Sequence, residues 1–228
     1  MQYLIIIILL LLSGFLFYAS AFIGSGVYVK ALCRMPVKEK QIALTFDDGP
    51  DAANTPRIAE ILDKHKIPAV FFCIGKKIEG NEHLLESLVR KGHLIGNHTY
   101  EHAVTFPLFS AKKMKLDLQK CEHLIAGATR QKELSLFRPP FGVTNPRIGK
   151  AVKQSGYQVI GWSIRSLDTM KKQPEAVIRR VTKKIKPGSI ILFHDPIPDC
   201  PKILEAVIDY ALKEGYTFVR ADKYVLSG

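Results

Sequence analysis

The first 29 of the 228 residues carry no charged side chain. No lysine or arginine precedes the apolar run at residues 4–12, although a basic start is what opens a secretory signal peptide. The four cysteines, Cys33, Cys73, Cys121 and Cys200, form no CxxC pair, which argues against a zinc knuckle or a thioredoxin-like motif. No lipobox-like residues precede Cys33, so lipidation is not indicated. No internal repeat and no low-complexity linker follows residue 40, which excludes a repeat array. Net charge is +12, from 33 Lys+Arg against 21 Asp+Glu. No zinc-finger, helix-turn-helix or RNA-binding signature accompanies it, so no nucleic-acid partner is expected.

What is present reads as a folded protein. Hydrophobic residues make up 47% and charged residues 24%, ordinary values for a globular chain. The length suits one domain with a core that needs no disulfide. Residues 4–12 are uninterrupted Leu and Ile, and apolar character continues through Phe22, Ile23, Val27 and Val29. About 20 apolar residues span a bilayer as a helix, so residues 1–29 are expected to be a transmembrane anchor. Ala19-Ser20-Ala21 also fits a signal-peptide cleavage pattern, which keeps a signal segment open. Residues 30–40 read as a basic linker and residues 41–228 as the soluble domain. The nearest positive charges, Lys30, Arg34, Lys38 and Lys40, all follow the span. The positive-inside rule would place the domain in the cytoplasm.

Strands are expected at residues 41–46, 68–74, 93–96, 135–137, 156–162, 189–193 and 216–219, as short, mostly apolar runs. Helices are expected between them, near 54–65, 82–90, 110–125, 145–155, 174–184 and 201–213. Within the 110–125 helix, Met114, Leu118, Cys121 and Ile125 share one side, and Lys112, Lys113, Lys115 and Lys120 form a solvated face. Such alternation argues for a parallel α/β sheet with covering helices. Periodicity alone does not separate an open doubly wound sheet from a barrel.

Reactive side chains cluster just after these strands. Asp47 and Asp48 follow the first, His98 and His102 the third, and Arg138 the fourth. Asp168 lies beyond the fifth, and His194-Asp195 follows the sixth. Parallel α/β folds assemble sites at the carboxyl ends of strands. On a helical turn, His98 and His102 would share a face, as two ligands of one metal must. With Asp48 they make a His-His-Asp set with open positions, the pattern of a catalytic metal. Such a metal would lower the pKa of bound water, and Asp47 could take its proton. An Asp-Gly-Pro turn is the plainer reading of residues 45–50.

Taken together, TFDDGP (45–50), HTYEH (98–102), RPPFG (138–142), WSIRSLDT (162–169) and ILFHD (191–195) resemble the NodB-type polysaccharide deacetylases, carbohydrate esterase family four. The resemblance covers about residues 40–220. It implies a distorted (β/α)7 barrel after the N-terminal membrane-spanning helix. It also implies one divalent metal, usually Zn2+ with Co2+ as an alternative, on Asp48, His98 and His102. Asp47 would be the general base and His194 the acid that protonates the leaving amine. Arg138 would hold Asp47, with Asp168 as its partner. A backbone N–H near Phe141 would help stabilise the oxyanion. Trp162 and Leu192, with Phe141, would line the acetyl pocket.

The implied activity is removal of N-acetyl groups from amino sugars of a polysaccharide or peptidoglycan, outside the cytoplasm. A lipid-linked sugar and acetyl-xylan are alternative substrates. A non-catalytic carbohydrate-binding relative is the alternative of another class. Three positions depart from the family pattern. Arg165 stands where an Asp is frequent, which questions the Arg138–Asp168 pairing. Thr169 and Phe141 replace frequent aromatics and bear on substrate choice.

Overall fold

The computed structural model describes residues 1–129, 136–170 and 173–225. The expected strand residue Ser135 lies outside that set. The chain opens with α1 (Gln2–Ala21) and β1 (Ala31–Leu32). Next come β2 (Gln41–Gly49), α2 (Asn54–Lys64), β3 (Ala69–Cys73), α3 (Gly75–Ile78), α4 (Glu82–Arg90) and β4 (Leu94–Asn97). The middle holds α5 (Ala111–Thr129), β5 (Leu136–Phe137), α6 (Pro146–Ser155), β6 (Gln158–Ile160) and β7 (Ile164–Arg165). The chain ends with α7 (Pro174–Thr182), β8 (Ile190–His194), α8 (Cys200–Lys213) and β9 (Thr217–Phe218).

The strands form one sheet in the order β1-β6-β5-β4-β3-β2-β8-β7, with β9 added to the start of β2. Every pairing between these strands is parallel. Among the described residues no ladder joins β7 to β1, so the sheet curls without closing. This is the distorted (β/α) barrel that the motifs imply. Its centre, β3 and β8, is buried along its whole length. That explains why these strands read as continuous apolar runs: both faces are covered. Phe46 stacks on Phe71 and on Phe193, with centroids 4.7 and 5.9 Å away. Truncating such a ring to alanine costs about 3–5 kcal/mol.

Helix boundaries follow local chemistry. The Asn145 side chain accepts from the Ile148 N–H at 2.9 Å, and Pro146 takes the first helical position of α6. Both are preferred there. Gly156, with φ 68°, ends that helix in the left-handed region, where glycine pays no steric penalty.

Four expectations need correction. Two additional strands, β1 and β7, are only two residues long and carry no periodic signal. Residues 30–40 are not a free linker: Ala31 and Leu32 pair with Val159 and Ile160, and Met35 is buried. The first strand runs on to Gly49, so Asp47 and Asp48 lie inside β2. His98 and His102 sit on an irregular loop, not on a helical turn. The four cysteines are free, and Cys73 is buried.

The 20 residues of α1 are long and apolar enough to cross a membrane. Only Ala19 within the helix is buried.

Candidate active site

The carboxyl ends of β2, β4, β5, β7 and β8 deliver the functional side chains. The register of β2 against β3 shifts between Asp47 and Gly49, a bulge that leaves Asp48 unpaired. Bulges redirect side chains next to active sites. Here adjacent carboxylates take separate directions. Asp47 turns to Arg138, and Asp48, with φ 71°, turns to the two histidines.

The loop after β4 is shaped by side chains that satisfy its amides. Thr99 N–H donates to Asn97 Oδ1 at 2.8 Å, and His102 N–H to Thr99 Oγ1 at 3.0 Å. Tyr100 and Glu101 donate to the two carboxylate oxygens of Asp117, which α5 supplies. The result places His98 and His102 together, with ring centroids 4.8 Å apart. Asp48, Thr99, His102, Phe141 and Leu167 all adopt positive φ without being glycine. Such strain of about 1–3 kcal/mol per residue collects at functional sites.

Asp48 Oδ1 lies 3.5 Å from His98 Nε2 and 3.3 Å from His102 Nε2. The candidate ligand atoms of these three residues all lie within 4.8 Å of one another. Asp48 Oδ1 is buried and has no hydrogen-bond partner, which is costly unless something else satisfies it. His98 Nδ1 meets the Arg138 carbonyl at 2.7 Å. A carbonyl only accepts, so Nδ1 carries the proton and Nε2 offers its lone pair, the arrangement typical of a metal ligand. Burial and the neighbouring His98 push the His102 pKa down to about 4, leaving a neutral imidazole. Burial alone would raise Asp48. Its position beside His98, His102 and His194 outweighs burial and holds it below the usual carboxylate range. These residues fit a divalent cation.

Arg138 is wholly buried. It donates through Nη1 to Asp47 Oδ1 at 2.6 Å and Thr45 Oγ1 at 2.9 Å. Its Nε reaches the Ile160 carbonyl at 2.8 Å and Nη2 the Gly161 carbonyl at 2.7 Å. Its guanidinium stacks over Phe72, 4.2 Å from the ring centroid. Asp47 is therefore held by a fixed cation, and no bond links Arg138 to Asp168. The expected Arg138–Asp168 pairing is corrected: Arg138 Nε and Nη2 turn to the Ile160 and Gly161 carbonyls instead.

Asp168 instead serves His194. Its Oδ1 meets His194 Nδ1 at 2.7 Å and its Oδ2 accepts the His194 N–H at 2.8 Å. A carboxylate only accepts, so Nδ1 is protonated and Nε2 is left for the cleft. Burial opposes a charged imidazole here. The hydrogen bond and charge of Asp168, with the charges of Asp47 and Asp48, prevail and raise the His194 pKa above its ordinary value.

Asp47, Asp48, His98, His102 and His194 open on one cavity of about 180 Å³, walled by Phe141, Gly142, Trp162, Arg165, Thr169 and Leu192. All three expected pocket residues are thus on its wall. So are the three departures; the buried Arg165 Nε lacks a hydrogen-bond partner. Phe141 lies against His102, with centroids 4.8 Å apart.

Sequence reasoning missed several supporting residues. Thr45 donates to the Ile191 carbonyl at 2.9 Å and so accepts from Arg138. A hydroxyl inside an otherwise apolar strand was the available signal. Asp195 does not orient His194. It accepts from Thr55 Oγ1 at 2.5 Å and fills the space beside Gly49, bracing the loop that follows Asp48. Lys77 donates to the Asp48 carbonyl at 2.8 Å. Thr55 and Lys77 carried no signal.

Comparison with known proteins agrees with this geometry. Residues 34–160 match the family model described as "Polysaccharide deacetylase". A peptidoglycan-N-acetylglucosamine deacetylase of Bacillus cereus is 35% identical over 190 residues, 81% of this chain and 88% of that protein. The peptidoglycan-N-acetylmuramic acid deacetylase PdaA of Bacillus subtilis is 30% identical over 188 residues, 81% of this chain and 71% of that one. The solved structure of B. subtilis PdaA, a family 4 carbohydrate esterase, superposes with TM-score 0.78 at 30% identity, over 86% and 85% of the two chains. A family 4 pseudoenzyme from Bacillus anthracis superposes with TM-score 0.77 at 28% identity, over 84% and 67%. The chain belongs to the polysaccharide deacetylase family, carbohydrate esterase family 4.

Proposed function

We propose that this protein is an N-deacetylase of peptidoglycan amino sugars that works with one bound divalent metal, zinc by preference. The observation that carries the reading is the Asp48–His98–His102 cluster, with an unsatisfied buried carboxylate oxygen at its centre. A metal held there would polarise the acetyl carbonyl and make a water acidic near neutral pH.

The protein's own groups supply the proton transfers. Asp47, fixed by Arg138, takes the proton of the attacking water. His194, fixed by Asp168, donates a proton from Nε2 to the departing nitrogen. An amide nitrogen leaves poorly unless protonated, so this acid is required. Phe141, Trp162 and Leu192 enclose the acetyl methyl, and a backbone N–H near Phe141 donates to the developing oxyanion. The substrate class is supported by relatives whose names specify peptidoglycan N-acetylglucosamine and N-acetylmuramic acid. The competing class is a non-catalytic relative, such as the B. anthracis pseudoenzyme. Here every metal, base and acid position is filled.

We also read α1 as an uncleaved membrane anchor, with the catalytic domain outside the cytoplasm, where peptidoglycan is found. The +12 charge suits anionic wall and membrane polymers. The reading is tested by incubating the zinc-loaded or cobalt-loaded protein with peptidoglycan, chitooligosaccharides and acetyl-xylan and measuring acetate. Release from peptidoglycan is expected. Release from acetyl-xylan alone would replace the substrate assignment.

A further inference from the structure

The end of α1 is seated on the catalytic rim. A helix leaves its last carbonyl groups without partners, and here the domain supplies them. Thr144 donates through its backbone N–H to the Ser20 carbonyl at 2.9 Å and through Oγ1 to the Ala19 carbonyl at 3.0 Å. Thr144 belongs to the connection that leaves the carboxyl end of β5 and carries Arg138 and Phe141. Just past α1, Ile23 packs, together with Cys33 Sγ, in the space a side chain at Gly161 would need. Gly161 is the first residue past β6, again at the carboxyl end. Phe141 and Thr144 are three positions apart, at most about 11 Å of chain. The helix therefore meets the domain on the face where the active site opens, not at the opposite end of the barrel.

The same rim carries exposed apolar side chains. Val104 and Leu108 follow β4, Phe141 follows β5, and Met170 follows β7. Their exposures are 80%, 74%, 46% and 72%. Asn145 and Arg147 tie this rim together, donating to the carbonyls of Pro107 and Leu108. Lys112, Lys113 and Lys115 are exposed in the first turns of α5, which starts at this rim. Apolar side chains flanked by lysines suit the headgroup region of an anionic bilayer.

From this placement, and resting on the anchor reading of α1, we infer that the catalytic rim is a membrane-facing surface. Val104, Leu108 and Met170 enter the interface of an anionic phospholipid bilayer, and the cleft opens at the membrane surface. Glycan carried at that surface then reaches the site without leaving it.

The single tryptophan, Trp162, simplifies the test. The full chain is placed in nanodiscs of phosphatidylglycerol with or without brominated acyl chains, which quench nearby tryptophan. Leu108→Trp and Met170→Trp report on the rim. Leu212→Trp reports on the far end of α8, where Leu212 is also exposed. Bromination should cut the added rim emission about twofold or more, since interfacial side chains sit within the headgroup and acyl boundary. The Leu212→Trp chain should match the unsubstituted protein. Full incorporation with rim tryptophans quenched no more than Leu212→Trp overturns the rim inference and leaves the anchor reading standing. Failure of the unsubstituted chain to enter nanodiscs overturns both.

Discussion

Replacing Asp168 by Asn tests how the proposed acid is tuned. Asp168 raises the His194 pKa through a charge-assisted contact of 2.7 Å to Nδ1, against the opposing effect of burial. A hydrogen bond to a charged group contributes about 1.5–3 kcal/mol. Losing the carboxylate charge should therefore lower the His194 pKa and weaken the hold on the protonated imidazole by an amount of that order. The asparagine also cannot accept both His194 N–H groups. Whichever way its amide turns, one donor faces another. His194 acts protonated, so activity is lost as pH rises through its pKa. The assay is the pH profile of kcat/KM for acetate release by the metal-loaded enzyme. The basic limb should move to lower pH, with metal content unchanged and kcat/KM above neutral pH reduced about tenfold or more. A basic limb that stays in place, at undiminished activity, would refute the role given to the Asp168–His194 pair.

Further outcomes follow from the same contacts. Arg138→Met leaves Asp47 buried without its cation and should cost about 3–5 kcal/mol in urea denaturation; Arg138→Lys should recover little, because one ammonium cannot make four spread contacts. Adding zinc should raise the Tm of the unsubstituted protein, as any ligand of the folded state does, and His102→Ala should abolish that rise. Asp195 has its pKa pushed up to about 7 by burial, so its stabilising effect is complete below the ordinary carboxylate range and is lost as pH rises through 7. Asp195→Asn should therefore flatten the decline in stability between pH 5 and pH 8, measured by urea unfolding at both values.

Much of the fold was legible because its centre is built from short apolar runs. β3 and β8 are buried on both faces, so their residue types announce them. β1 and β7 were not legible, since two residues carry no period. The metal-site residues were legible as motifs, but their local structure was not. HxxxH suggests a helical turn, whereas Asp117 and Asn97 bind the loop amides and impose another path. The bulge at Asp48 depends on how β2 and β3 pair, which a single strand does not disclose. Asp168 lies three residues beyond β7 and thirty from Arg138, and only the fold decides that it meets His194 instead. Arg165 was legible as a departure, and its place on the cleft wall came from the path of β7.

The central claim is that Asp47 acts as the base beside a metal held by Asp48, His98 and His102. Its most direct test measures bound metal and acetate release from the same preparations of the unsubstituted protein and Asp47→Asn. Equal metal content is expected, with release slowed by about 10²–10⁴ in the variant, the usual contribution of a positioned acid or base. An Asp47→Asn protein that holds its metal and deacetylates as fast as the unsubstituted chain would contradict the account.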